Sequence, residues 1–157
     1  MTTFDATEYE RWLETAREDV RVARYTAEGG FHHAAVLYAE QAAQCALKAL
    51  LHAVGAGQEA RGHGLLSLAD ACERWAGLEL GQQQREALGD LALSYQTSRY
   101  PDALPEGTPS DHYGAGAADK AIETAVATLK AVEAAYADLR AADPPARDGL
   151  TTEPGAP

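Results

Sequence analysis

Residues 42–54 read AAQCALKALLHAV. Apolar side chains fill nearly every position of this stretch, so a helix built from it is apolar on almost all sides. Such a helix is typical of the central element of a bundle, where neighbouring helices cover each of its faces. We predict that it belongs to a helix over residues 31–54, which Gly55 and Gly57 end. The face predicted to point inward carries Phe31, Ala35, Tyr38, Ala42, Cys45, Ala49 and Leu50.

Four further helices are predicted around this element, because their apolar residues recur every three or four positions. Their ranges are 8–27, 64–76, 82–98 and 117–141. Residues 101–115, with several prolines and glycines, are predicted to form a long loop. The fold class is therefore all-α, an up-down bundle of four long helices and one short helix.

The chain has 157 residues, of which 46% are hydrophobic and 24% charged, a balance that fits one globular domain. We expect that domain to span residues 1–142. Residues 143–157 contain many Pro and Gly residues without periodicity and are expected to be a disordered tail. Cys45 and Cys72, the two cysteines, fall within helical patterns and are expected to be buried, reduced thiols.

Composition and charge exclude several classes of protein. No apolar run approaches the roughly 18–20 residues of a membrane span, and residues 1–12 lack the apolar segment of a signal peptide. A cytoplasmic location without membrane attachment is expected. The net charge is −11, from 13 Lys and Arg against 24 Asp and Glu. Because phosphate contacts are built from Lys and Arg, generic nucleic-acid binding is disfavoured, although a local basic site is compatible with this charge.

Four motifs in a fixed order point to a known family. The first is the turn over residues 27–31, AEGGF, after the opening helix, and the second is YAEQAAQCALKALL over residues 38–51, similar to Gln-x-x-x-Lys-x-Leu-Leu. The third is HGLLSL over residues 63–68, and the fourth is SRYPD over residues 98–102. Together, over about residues 8–140, they resemble the HEPN domain family of nucleotide-binding helical domains.

This resemblance implies a mostly dimeric helical bundle. Many members are RNA-cutting toxins or parts of defence systems, and many act with a small nucleotidyltransferase as partner or antitoxin. Active nucleases of the family carry Arg, four to six residues, and then His. Here His112 lies 13 positions after Arg99, and no Arg of the chain meets the family spacing. The adjacent pair His112-Tyr113 also departs from the family's Arg-x4-His-x-Tyr variant.

Arg99 and His112 are the candidate catalytic residues. Arg99 could hold a phosphate through its guanidinium fork, or it could pair with Asp102 or bond the last carbonyls of its helix. His112, beside an acidic residue in the loop, could transfer protons if the loop folds back toward Arg99, or it could be a solvated side chain.

The candidate binding residues are Tyr100, Asp102, Tyr113, Gln41 and Lys48. Tyr113 could contact a nucleotide or anchor its loop on the core. Gln41 and Lys48 lie seven positions apart on one helical stripe, which could face a ligand or a second copy, or belong to an internal hydrogen-bond network. His63 is expected to cap a helix or make a buried hydrogen bond. The basic stripe Arg17, Arg21 and Arg24 fits either solvated ion pairs or a docking stripe.

No metal site and no cofactor are predicted, because the sequence has no phosphate-binding loop and its adjacent His32 and His33 point about 100° apart on a helix. Three functions remain open. The first is an interaction module related to nucleotide or RNA binding, which acts as a homodimer, as the partner of a nucleotidyltransferase, or as both. The second is a metal-independent RNase toxin that uses Arg99, with His112, at a dimer cleft. The third is a structural bundle whose Arg-Tyr-Pro only shapes a loop.

Overall fold

A computed structural model describes residues 4–143 of the chain. Seven α-helices and one 3₁₀ turn make up this part of the protein, which contains no β-strand. The helices are α1 (Ala6–Glu28), α2 (His32–Ala53), α3 (Leu65–Ala76), α4 (Gln82–Ala92), α5 (Ser94–Thr97), α6 (Pro109–His112) and α7 (Ala115–Ala142), and the 3₁₀ turn is Pro101–Ala103. The all-α bundle predicted from the sequence is confirmed. The predicted tail lies almost entirely outside the described residues.

Helix α2 is the centre of the bundle, as its uniformly apolar sequence predicts. Its buried residues lie on every side of the helix, and most of them are alanine or leucine. Alanine allows the neighbouring helices to approach closely, and the leucines fill the space between them. The fully covered set includes Ala39, Ala42, Ala43, Ala46, Leu47, Ala49, Leu50 and Leu51.

Helices α1 and α7 pack on α2 from two sides. The first turn of α1 lies beside the last turn of α2 in space. The backbone N–H of Asp5, which precedes α1, donates to the carbonyl of Ala53 at the end of α2 at 2.9 Å. Helix α7 ends beside the start of α1, where the rings of Tyr9 and Tyr136 stack with centroids 3.6 Å apart. Helices α2 and α7 therefore run in the same direction, and α1 runs against both.

Helices α3 and α4 complete the bundle. The Cys72 thiol in α3 donates to the carbonyl of Leu47 at 3.2 Å, which fixes α3 against α2. Gly77 ends α3 with a φ of +66°, a left-handed conformation that glycine adopts without steric cost. Helix α4 is joined to α7 by the exposed ion pair between Lys120 and Asp90, at 2.7 Å.

The structure divides the helix predicted over 82–98 into α4 and α5. Ser94 contributes to the break, because its hydroxyl donates to the carbonyl of Leu91 at 2.6 Å and so competes with the backbone pattern. The loop predicted over 101–115 contains the 3₁₀ turn and α6. Thr108 and Asp111 cap α6, with the Asp111 carboxylate accepting from both the backbone N–H and the hydroxyl of Thr108 at 2.8 Å.

One aromatic side chain differs from its predicted placement. Phe31, predicted on the inward face, is 61% exposed, because it lies at the turn before α2 rather than within the packed part of that helix. At the end of α3, where the apolar spacing allows either Trp75 or Ala76 to face inward, the structure buries Ala76 and leaves Trp75 exposed. Among residues 4–143, none of the helices is both long enough and apolar enough to cross a membrane.

Candidate functional site

Arg99 lies in the turn that follows α5 and precedes Pro101. Tyr100 is extended, with a φ of −126° and a ψ of 130°, as residues before proline usually are. The Arg99 side chain folds back onto the bundle and is only 16% exposed. Its Nη1 donates to the carbonyl of Tyr95 at 2.6 Å, and its guanidinium carbon lies 4.3 Å from the centre of the Tyr95 ring. Helix capping, one of the alternatives for Arg99, is therefore part of what it does.

Glu40 in the middle of α2 is the counter-charge of Arg99. The Arg99 Nη2 lies 3.5 Å from Glu40 Oε2 and 3.3 Å from Gln41 Oε1, to which it donates. Glu40 is completely buried, and this burial raises the pKa of its carboxyl, while Gln44 and Arg99 act in the opposite direction. A buried carboxylate needs a positive partner, and Arg99 supplies it. Arg99 pairs with Glu40 rather than with Asp102, the partner considered from the sequence.

A chain of hydrogen bonds leads from Glu40 to the surface. Gln44 Nε2 donates to Glu40 Oε1 at 2.6 Å, and Gln44 Oε1 lies 3.0 Å from His63 Nδ1. The His63 imidazole stacks on the Tyr95 ring with centroids 4.9 Å apart and an angle of 22° between the planes. The Tyr95 ring therefore contacts both His63 and Arg99. We name the set Glu40, Gln44, His63, Tyr95 and Arg99 the polar cluster.

The polar cluster opens onto a shallow groove of about 420 Å³. His63 and Tyr95 line it, and so do Gly64, Leu93, Gln96, Thr97 and Ala103. His63 is exposed in this groove, whereas Glu40 and Gln44 are completely buried behind it. The arrangement is one exposed imidazole bonded to a buried polar group, with a nearly covered guanidinium that contacts the same Tyr95 ring.

His112 and its neighbours make separate contacts. The His112 Nε2 lies 2.6 Å from the carbonyl of Glu106, and both residues are exposed. The hydrogen bonds from Thr108 hold the pKa of the Asp111 carboxyl below its ordinary value. Within residues 4–143, no hydrogen bond or ion pair links His112 to Arg99. The catalytic pairing of Arg99 with His112 therefore stays a prediction.

The other candidate binding residues lie at several places. Tyr113 donates to or accepts from the Thr97 hydroxyl at 2.5 Å, a contact that ties its loop to α5. Tyr100 is 53% exposed, and Asp102 is also exposed. The Gln41 side-chain oxygen accepts a hydrogen bond from Arg99. The Lys48 ammonium lies on the α1 side of α2 instead, 5.8 Å from the centre of the Trp12 ring. Gln41 and Lys48 thus contact different partners.

The basic stripe of α1 carries surface ion pairs. Arg21 bonds Glu18 at 2.6 Å, and Arg17 lies 3.6 Å from Glu14 and 3.8 Å from Glu133 of α7. All of these side chains are between 44% and 75% exposed. The pairs of Arg17 and Arg21 therefore match the solvated ion-pair alternative. Within residues 4–143, no three His, Cys, Asp or Glu side chains lie close enough to hold a metal ion.

Sequence reasoning missed Glu40, Gln44 and Tyr95 as members of a site. A signal for the first two was present, since a Glu and a Gln four positions apart interrupt an otherwise apolar helix. Buried polar groups need partners, so such an interruption predicts a polar partner from another segment. Tyr95 continues the apolar row of Leu88 and Leu91 in the helix predicted over 82–98, so its spacing gave no comparable signal. The buried hydrogen-bond network considered for α2 is present, built on Glu40 and Gln44.

The sequence of this helical bundle matches a defined protein family. The family model for the HEPN domain matches residues 9–135, so the chain belongs to the HEPN domain family. The resemblance found in the sequence is confirmed.

Two solved structures are similar to this chain. One is TT1696 from Thermus thermophilus, which is 34% identical with a TM-score of 0.72; the match covers 81% of this chain and 97% of that one. The other is ST0689, described as an archaeal HEPN homologue, which is 31% identical with a TM-score of 0.66 and coverages of 80% and 95%. No functionally curated protein matches the sequence.

Proposed function

We propose that this HEPN protein is a helical interaction module, acting as a homodimer, as the partner of a nucleotidyltransferase in a toxin–antitoxin or defence system, or as both. The observation that carries the proposal is an apolar groove of about 250 Å³ between α4, α5 and α7, to which α2 contributes one residue. Its walls include Val36, Leu91, Tyr113 and Ala121. Leu93 also lines the groove and is 77% exposed. An exposed apolar side chain that is continuous with an apolar cleft is typical of an interaction site.

The state of Arg99 also supports binding over catalysis. Its positive charge is matched by Glu40 within the same chain, and most of its side chain is covered. A phosphate would have to compete with a buried carboxylate for this guanidinium. The net charge of −11 further disfavours a broad RNA-binding surface.

Sedimentation velocity tests self-association. We expect wild-type protein at micromolar concentration to sediment as a dimer and Leu93→Glu to sediment as a monomer, because a carboxylate cannot be desolvated in an apolar interface. Tyr25→Glu is the matched control, since Tyr25 is 79% exposed but lies on α1. A monomeric wild type would overturn the homodimer proposal.

Co-expression tests the second partner. A small nucleotidyltransferase encoded beside this gene should co-purify with the wild-type chain. Loss of the enzyme with Leu93→Glu but not with Tyr25→Glu would place it on the same groove. If neither self-association nor co-purification is observed, the interaction proposal fails as a whole.

An RNase toxin is the second candidate function, and one observation favours it. An arginine and a histidine, Arg99 and His63, both contact the Tyr95 ring beside a groove. Controlled expression in bacteria, followed by growth and total RNA integrity, tests this function. Growth arrest with RNA cleavage by the wild type, lost in Arg99→Lys and retained in Arg21→Ala, would support it. Lysine keeps the charge beside Glu40 but not the guanidinium fork. Intact RNA with the wild type would contradict it.

A further inference from the structure

A second groove lies between α4 and α7 and has a volume of about 520 Å³. It adjoins the groove of Leu93 at the ion pair between Lys120 and Asp90, because these two residues line both grooves. The α7 wall extends from Lys120 to Thr128, which is roughly 12 Å, or about two helical turns, at 1.5 Å per residue. This second groove, named the α4–α7 groove, is therefore long enough to contact two turns of a further helix.

The floor of the α4–α7 groove is apolar in its demands. Ala87 of α4 and Ala127 of α7 line it and are half-buried. Thr124 and Thr128 also line it and are buried, and the hydroxyl of each donates to the carbonyl four residues earlier in α7, both at 2.8 Å. Because these donors already have acceptors within α7, the floor needs no hydrogen-bond partner from an occupant and suits an apolar surface.

The rim of the α4–α7 groove carries unmatched negative charge on both walls. Glu86 on α4 and Glu123 on α7 line the groove, and both are exposed. Within residues 4–143, neither carboxylate forms an ion pair. Lys120, a cation of the same lining, is already paired with Asp90 at 2.7 Å. An occupant therefore meets an apolar floor between two carboxylates.

We propose that the α4–α7 groove binds one amphipathic helix of a partner protein, with its apolar face on the floor and with Lys or Arg on its flanks against Glu86 and Glu123. A helix lying in an apolar groove is a common mode of recognition, and complementary charge at the rim adds specificity. A second copy of this chain does not fit face to face, since an isologous contact would bring two acidic rims together. This surface is additional to the Leu93 groove of the proposed function and does not depend on it.

Selection from a displayed library of helical peptides, about 18 residues or five turns long, tests the proposed chemistry on the whole chain. The flank positions vary among Arg, Lys, Gln and Glu. We expect basic flanks from wild-type protein and acidic flanks from Glu86→Lys/Glu123→Lys. The matched control, Glu28→Lys/Glu59→Lys, changes the net charge equally at exposed positions outside the groove and should select basic flanks, as wild type does. The same flanks from all three proteins, or no enrichment from wild type, would overturn the proposal.

Fluorescence anisotropy with the peptide selected on wild type then locates its binding. Glu86→Lys/Glu123→Lys should bind this peptide about tenfold more weakly, because two favourable charge contacts become repulsive. Ala127→Gln keeps the charge and places a longer side chain on the floor, so it should weaken binding as well. A scrambled peptide of the same composition without an apolar face is the control. If it binds as tightly as the selected peptide, the attraction is one of charge alone and the helix-in-groove proposal is wrong.

Leu93→Glu distinguishes this inference from the proposed function. It should bind the selected peptide at least as tightly as wild type, because Leu93 lines the neighbouring groove and not the α4–α7 groove. Loss of binding in Leu93→Glu with full binding in Ala127→Gln would place the peptide in the Leu93 groove and contradict the inference. The sedimentation experiment varies Leu93 and not the α4–α7 groove, so failure of the homodimer and failure of this surface give different results.

Discussion

Arg99 and Glu40 are 59 positions apart in the chain, yet the Arg99 Nη2 lies 3.5 Å from the Glu40 Oε2 in the interior of the bundle. The pair joins the turn after α5 to the centre of α2. It also explains why an acidic residue is present in the most apolar helix of the protein. For function, the consequence is that the positive charge of Arg99 is matched by a carboxylate of the same chain rather than by a ligand.

Arg99→Ala should therefore destabilise the fold strongly. Removing one partner of a buried ion pair leaves an uncompensated charge, and such changes typically cost about 3–5 kcal/mol. Urea unfolding at pH 7 would measure the loss in the free energy of unfolding. Arg21→Ala, which removes an ion pair whose side chains are 75% and 57% exposed, should cost at most about 1 kcal/mol.

The double variant Arg99→Ala/Glu40→Gln separates the charge effect from the loss of packing. It should be more stable than Arg99→Ala alone, because a neutral amide is less costly to leave unpaired than a carboxylate. Equal stabilities of the single and double variants would contradict an ion-pair role for Arg99.

Asp19 should make the fold less stable as the pH rises. Burial, followed by the charge of Glu18, raises the pKa of Asp19 to about 6 from an ordinary value near 3.8. Because the folded state binds the proton more tightly, this group lowers stability progressively between about pH 4 and pH 6, and its full penalty remains above that interval. Asp19→Asn should therefore be more stable than wild type at pH 7.5, by about 1 kcal/mol after allowance for partial solvent exposure.

The difference between Asp19→Asn and wild type is the quantity to measure, since other carboxyls titrate in the same range. Thermal unfolding at pH 4 and at pH 7.5 should show the advantage of the variant only at the higher pH. An advantage of equal size at both pH values would contradict the raised pKa.

The two cysteines should be unreactive in the folded protein. Burial raises the pKa of Cys45 to about 11 and that of Cys72 to about 12, and thiolate is the reactive form. An aromatic disulfide reagent at pH 8 should label neither thiol in native protein within minutes and both after unfolding in guanidinium. Rapid labelling of one thiol in native protein would show that its helix opens locally.

Gly57 should not tolerate alanine. A Cβ atom at this position would lie 2.8 Å from Nδ1 of His52, whose ring stacks on Trp12 with centroids 5.1 Å apart. Gly57→Ala must displace His52 from this stack, and overpacking of this kind typically costs about 1–3 kcal/mol. Denaturant unfolding followed by far-ultraviolet circular dichroism measures the change.

Gly116→Ala is the matched control for Gly57→Ala. A Cβ at Gly116 meets no atom within 4 Å, and Gly116 lies in the first turn of α7. This substitution should raise stability by up to about 1 kcal/mol through its effect on helix propensity. Similar destabilisation by both substitutions would contradict the steric argument at Gly57.

The sequence was informative about helices because helix formation depends on local periodicity. Leu13 and Val20 in α1, and Leu129 in α7, belong to rows of apolar residues spaced three or four positions apart, and the structure buries all three. A break within a predicted helix and a short helix within a predicted loop were harder to predict. The break at Leu93 and the short helix α6 depend on side-chain hydrogen bonds of Ser94 and Thr108 that compete with the regular pattern.

The all-α class, the central position of α2 and the family could be predicted from the amino-acid sequence, because apolar spacing and short motifs are properties of neighbouring residues. The partners of the polar residues, in contrast, follow from the way the helices pack together. Glu40, His63 and Arg99 lie in three separate segments, and each could have found other partners or solvent. Their meeting in one cluster depends on how α2, the segment before α3 and the turn after α5 pack, and packing is a property of the whole chain.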